Sequence, residues 1–276
     1  MLKCSLCVHD ERTAKIDIID GKPICRECQV YLKHPIEGEK IRKELEELMK
    51  DVDRAVVAYS GGKDSVVSLY LAKEVYKVPE LEAVMVDHGL MAEEAIENAK
   101  RIAEYLGVPF KVLRYDYSDI FREALLNGES PCRRCSKRTM EKLRKYALKN
   151  GYRYIITGHE LPFGHRPYRL MSGGVIQIRL LSMMTEEERF EILKELPFEF
   201  PELPGYTTNC LVLGPALERY WEKHGHSFEH RRIAALVRYG LMSRERAEEE
   251  LKKPKVPEEQ RKIVLEKLGI TEDALD

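Results

Sequence analysis

No stretch of this chain is apolar for long enough to cross a bilayer, and Met1-Leu2-Lys3-Cys4 lacks the apolar core of a secretion signal. A membrane role is excluded on that reading, and a cytoplasmic setting is expected. The formal net charge is only -1 although 34% of residues are charged, which excludes a uniformly basic nucleic-acid binder and leaves room for local patches. Internal repeats and low-complexity tails are also lacking, so solenoids and disordered arms drop out. Structural disulfides are not expected in a reducing compartment, so the seven cysteines read as metal ligands or reactive thiols.

What is present is a pattern of strands alternating with helices. Residues 14–24 read as a hairpin turning at Asp20-Gly21, and apolar residues at helical spacing over 36–50 read as a linking helix. Short apolar runs at 54–59, 81–86, 109–114 and 154–157 read as buried strands. Helices are expected between them at about 65–76, 92–106 and 136–149. Such alternation predicts an α/β fold with parallel pairing and right-handed crossovers. Ligands in these folds lie beyond the carboxyl ends of the strands, where residues 60–65, 87–89 and 158–160 fall. Residues 197–206, rich in proline, read as a loop. The chain from 215 onward reads as helical, with Ser243 capping one helix.

Ser60-Gly61-Gly62-Lys63-Asp64-Ser65 follows a strand and opens a helix. Glycine-rich backbone amides at a helix N-terminus suit phosphate oxygens. Ser60 and Ser65 can donate hydroxyl hydrogen bonds, Lys63 can neutralise phosphate charge, and Asp64 suits Mg2+. The spacing is not that of a Walker A loop. The segment Ala58-Tyr59-Ser60-Gly61-Gly62-Lys63-Asp64-Ser65 resembles the signature of the PP-loop ATP pyrophosphatases. That resemblance covers about residues 53–160. It implies a parallel-sheet nucleotide-binding domain that adenylates an oxygen with ATP and expels pyrophosphate. Val86-Asp87-His88-Gly89 resembles the family's adenine-facing segment, with Asp87 a further metal candidate or else a turn cap. Gly158-His159 resembles its Gly-His motif. The acidic pair that often follows is replaced by Glu160-Leu161-Pro162, which makes Glu160 the substitute acid.

The cysteines fall into two sets. Cys4-x-x-Cys7 and Cys25-x-x-Cys28 have the spacing of a four-thiolate Zn2+ site, with His9 a spare ligand. Cys132, Cys135 and Cys210 suit a [4Fe-4S] cluster with one iron open, a redox pair, or persulfide exchange. Together with the zinc module, they resemble the iron-sulfur tRNA 2-thiolation enzymes. That resemblance implies tRNA as substrate, a sulfide on the open iron, a sulfur donor or sulfur-carrier protein as partner, and pairing as a homodimer. Those enzymes carry a second zinc module at the C-terminus, whereas residues 215–276 contain no cysteine. Transfer of sulfur or an amide to a small molecule or sugar therefore stays open, as does a non-catalytic ATP- or tRNA-binding role. Arg133, Arg134, Lys137, Arg138, Lys142, Arg144 and Lys145 form a basic stretch, and Arg231-Arg232 a second. The expected organisation is a zinc module (1–32), a linker helix (33–52), a PP-loop domain (53–214) and a helical region (215–276).

Overall fold

A computed structural model describes residues 2–199 and 209–275. The N-terminal hairpin pairs β1 (Ile16–Ile19) with β2 (Lys22–Cys25). At its turn Asp20 and Gly21 both take positive φ, 48° and 75°, the two-residue geometry that fits the twist of paired strands. Helix α1 (Arg26–Lys33) follows at once. Helix α2 (Gly38–Lys50) then buries Ile41, Leu45 and Met49, one stripe at helical spacing.

The main sheet contains β3 (Arg54–Ala58), β4 (Glu80–Asp87), β5 (Phe110–Arg114), β6 (Tyr154–Thr157), β7 (Tyr168–Leu170) and β8 (Ile176–Arg179), in the order β5-β4-β3-β6-β8-β7. All neighbours are parallel except the edge strand β7, which runs antiparallel to β8. After Arg54, strand β3 is apolar because both of its faces are covered. Ala55 and Val57 join a core with residues of α2, of α3 (Lys63–Tyr70) and of α4 (Glu93–Tyr105). Val56 faces the other core, built with α5 (Ser118–Asn127), α6 (Cys132–Lys149), α8 (Leu213–His224) and α11 (Glu258–Leu268). The strand order reverses direction between β3 and β6. The crevice at that switch point is where such sheets hold ligands.

Several elements depart from the sequence reading. Helix α6 begins at Cys132, four residues earlier than expected, so both of its cysteines lie in the first helical turn. Helix α3 continues through a π-turn, Leu71–Val75. The β7–β8 hairpin, α5 and α7 (Glu186–Lys194) were not anticipated. Helix α7 has a capping box in which Thr185 and Glu188 satisfy each other's backbone amides, a signal that Thr185-x-x-Glu188 does carry. Ser243 caps α10 (Arg244–Glu250) as expected, accepting from the Arg246 amide. The proline-rich stretch at 197–206 lies mostly outside the described residues. The N-terminal module is no free appendage: its four cysteines share a core with Ile233 and Ala234 of α9 (His230–Arg238) and with Ala247 of α10.

Candidate nucleotide and thiol site

The loop after β3 has the geometry of an anion cradle. Gly62 is the extended residue before α3, and no side chain caps the helix, so its first amides face outward for a ligand. The loop is braced from within: the Ser65 hydroxyl accepts from the Ser60 amide (3.2 Å) and donates to the Gly62 carbonyl (2.8 Å). Gly61 adopts φ +76°, and a Cβ there would lie 2.8 Å from Ala99 of α4. Gly158, after β6, is pressed against the same loop. A Cβ at Gly158 would sit 2.7 Å from the Asp64 carbonyl oxygen and 3.0 Å from the Ser65 nitrogen. The Gly-His motif and the phosphate-binding loop thus meet, as their positions at adjacent strand ends require. Lys63 lies 5.1 Å over the Phe190 ring. Tyr59, by contrast, is a core residue, buried edge-on against Phe110.

Asp64 and Glu160 face each other across a buried arginine that the sequence reading missed. Arg189 of α7 lies 3.0 Å from Asp64 Oδ1 and 3.9 Å from Glu160 Oε1. Arg232 of α9 holds Glu160 Oε1 from the other side at 3.0 Å. Burial, with the Glu160 charge nearby, pushes the Asp64 carboxyl up to about 6. Glu160 is held below its ordinary value by Arg232 and Arg189, against the opposing effect of its burial. His159 is exposed at the cleft mouth, yet the surrounding protein and the charge of Arg179 lower it to about 4, so it is neutral at pH 7. Asp87 is engaged otherwise. It caps its own turn through the Gly89 amide (2.9 Å) and lies 3.6 Å from Arg114, the turn-forming alternative for this residue. Its neighbours Val86 and His88 are buried, His88 against Phe121.

Of the second cysteine set, Cys210 comes nearest the loop after β3. Cys210 forms an isolated bridge with Met91, just past the end of β4. The side chain of its neighbour Asn209 donates to the Ser60 carbonyl at 3.4 Å. Cys132 and Cys135 lie one turn apart at the start of α6, and Cys135 packs against the same core as Cys210. All three are partly buried, and desolvation raises each thiol, Cys210 to about 12. A bound cation reverses that preference for the neutral form, as a metal does for its thiolate ligands. The three sulfurs do not close to single-ion spacing. Among the described residues, only Cys4, Cys7, Cys25 and Cys28 bring their ligand atoms within 4.8 Å of one another.

That four-cysteine group fits a tetrahedral ion. A metal–sulfur distance near 2.3 Å places ligand sulfurs about 3.8 Å apart, and Cys7 Sγ lies 3.6 Å from Cys25 Sγ. All four are buried, and Arg238 donates to Cys28 Sγ at 3.1 Å, offsetting excess thiolate charge. His9 turns away from the group, bonding Thr13 and stacking on His230.

The basic stretch on α6 is partly neutralised by local partners. Arg134 pairs with Glu123, Arg138 with Asp119, and Arg144 with Glu141. Arg232 is likewise committed to Glu160 and Glu229.

A family described as a PP-loop domain matches residues 37–162. A second, the C-terminal domain of LPS biosynthesis protein WbpG-like proteins, matches residues 217–276. The uncharacterized protein MJ1599 of Methanocaldococcus jannaschii is 50% identical over 266 residues, 94% of this chain and 96% of its own length. The tRNA-specific 2-thiouridylase MnmA of Methylobacterium sp. is 34% identical over 58% of this chain. The match spans 47% of that relative, about half its length. The U34-tRNA thiolase NcsA from Methanococcus maripaludis, solved with its [4Fe-4S] cluster, shares 19% identity over 87% of both chains at a TM-score of 0.47. The chain therefore carries a PP-loop domain over residues 37–162, and it belongs to the family that includes MJ1599.

Proposed function

We propose that this protein uses ATP to replace an oxygen of a tRNA base with sulfur. The oxygen of a base carbonyl attacks the α-phosphate, pyrophosphate leaves, and sulfur then displaces AMP together with that oxygen. The loop amides, Ser60 and Lys63 would face the triphosphate and offset the charge that develops as pyrophosphate departs, while the Ser65 hydroxyl, already donated to the Gly62 carbonyl, braces the loop and does not reach a phosphate as the sequence suggested. Asp64 and Glu160 would hold Mg2+ on the phosphates. Arg189 and Arg232 keep Glu160 ionised for that role, and neutral His159 can accept a hydrogen bond at the cleft mouth. Cys132, Cys135 and Cys210 would hold a [4Fe-4S] cluster, which supplies the sulfur from an iron left without a protein ligand. A sulfur donor or sulfur-carrier protein is then required as partner. Cys4, Cys7, Cys25 and Cys28 would hold a structural Zn2+ that ties the N-terminal module to the C-terminal helices.

What supports this reading is that Asn209, next to Cys210, reaches the Ser60 carbonyl of the ATP loop, and that Cys135 and Cys210 pack against the same core. On this reading a sulfur site would stand beside the place where an oxygen is activated. The thiouridylase relative is consistent with it. A second reading is favoured by the WbpG-like match over 217–276. There the acceptor is a sugar, and sulfur or an amide is transferred to it by the same ATP chemistry.

Anaerobic purification followed by iron, sulfide and zinc analysis tests the metal assignments. The expectation is about four irons and one zinc per chain. Two zincs without iron would remove the cluster and leave the ATP site standing. Pyrophosphate release stimulated by tRNA, and not by sugar nucleotides, supports the first reading; the opposite pattern supports the second.

A further inference from the structure

Arg134, Arg138 and Arg144 of α6 are paired with carboxylates, whereas Arg169 and Arg179 of β7 and β8 make no ion pair among the described residues. Phe163, in the loop after β6, lies under two guanidinium groups, Arg179 at 3.7 Å and Arg169 at 4.7 Å from its ring centre. Their hydrogen-bond partners are neutral. Arg179 donates to the Leu161 and Pro162 carbonyls, and Arg169 donates to Gln177 Oε1 at 2.8 Å. Arg166 stacks on Tyr168 at 5.8 Å, is mostly exposed, and reaches Glu44 only at 4.0 Å. Glu160, the nearest acid to Arg179, is already bound by Arg232 and approached by Arg189.

The register places this charge at the cleft. Arg179 lies opposite Thr157, which leads directly into Gly158 and His159. Arg169 and Arg179 both act electrostatically on His159. Burial and, after it, the charge of Arg169 lower Arg179 to about 10. An incoming anion would offset this positive charge, whereas a neutral ligand would not. The guanidiniums are also pre-ordered by Phe163 and the loop carbonyls, so little side-chain entropy remains to be lost on binding.

We propose that Arg166, Arg169 and Arg179, arranged around Phe163 on the β7–β8 hairpin and the loop before it, form the surface that takes the phosphate backbone of an RNA substrate at the cleft mouth. This rests on the tRNA reading above and locates its contact. Phosphate contacts of this kind fix orientation and carry no sequence information. They also make binding salt-dependent through counterion release.

The test is equilibrium binding of bulk tRNA to the full chain across a series of KCl concentrations. Arg166→Ala/Arg169→Ala should weaken binding by about tenfold and lower the slope of log affinity against log salt by about 1 to 2. Arg166→Lys/Arg169→Lys should restore most of that slope, because point charges suffice for phosphate. Equal melting temperatures certify that both variants are folded, and Arg179 is left intact because it holds the loop carbonyls. If the alanine variant keeps the wild-type slope, or the lysine variant fails to restore it, the platform is overturned while tRNA remains the substrate. If the wild-type chain shows no salt-dependent binding of tRNA, or binds only a sugar nucleotide, the tRNA reading itself falls.

Discussion

Gly158→Ala tests whether the Gly-His motif is packed against the ATP loop. The added Cβ would stand 2.7 Å from the Asp64 carbonyl oxygen, 2.8 Å from the Asp64 carbonyl carbon and 3.0 Å from the Ser65 nitrogen. All three neighbours are backbone, so no side chain can rotate away, and either β6 or the start of α3 must retreat. Gly158 does not need the left-handed region, so the effect is steric and not conformational. Overpacking of this kind costs about 1–3 kcal/mol. If the loop absorbs the shift, ATP affinity falls by about 5- to 150-fold. If the unliganded fold absorbs it, the melting temperature falls by about 2–4 °C for each kcal/mol. Calorimetric titration with ATP and a thermal melt together read both shares. Gly38→Ala is the control, because the atom it would meet is the flexible end of Met183 at 3.0 Å. A Gly158→Ala protein with unchanged ATP affinity and unchanged melting would refute the close approach.

Two further predictions concern the charge network around Asp64. Arg189→Met leaves Asp64 and Glu160 facing each other, with only Arg232 to compensate, and should cost about 2 kcal/mol after allowance for the exposure of Asp64. Denaturant melts should show a larger loss at pH 8 than at pH 5, and equal losses would refute the account. Asp64 itself is raised from 3.8 to about 6. Through that window the folded chain keeps a proton that the unfolded chain has released, so this group's contribution to stability falls as pH rises. The difference in melting temperature between wild type and Asp64→Asn should therefore change between pH 4 and 6 and level off above, with the variant gaining on wild type as pH rises. A flat difference would contradict the raised value.

Local physics explains what was legible without coordinates. Strands β3, β4 and β6 could be read because burial on both faces demands apolar runs, and the edge strand β5 from the shorter run of Phe110, Val112 and Leu113. The phosphate loop could be read because only a glycine-rich turn before a helix exposes that many amides. Asp20-Gly21 and Ser243 could be read because a hairpin turn and a helix cap are settled by a few adjacent residues. The Thr185-x-x-Glu188 cap was equally local and was overlooked. Helix α5 and the β7–β8 hairpin gave weaker signals, since a short edge hairpin needs no continuous apolar pattern.

The sequence by itself determined the α/β class, the ATP loop and the grouping of four cysteines, each encoded within a few neighbouring residues or a fixed spacing. Tertiary structure alone decided that Arg189 and Arg232 meet at Glu160, and that Asn209, beside Cys210, returns to the ATP loop. It also decided that the N-terminal module rests on α9 and that Arg169 and Arg179 gather on Phe163. Those pairings join residues far apart in the chain, and no local preference sets which distant charge a side chain will find. That choice is made only when the sheet closes and burial leaves each ionised group a single set of partners.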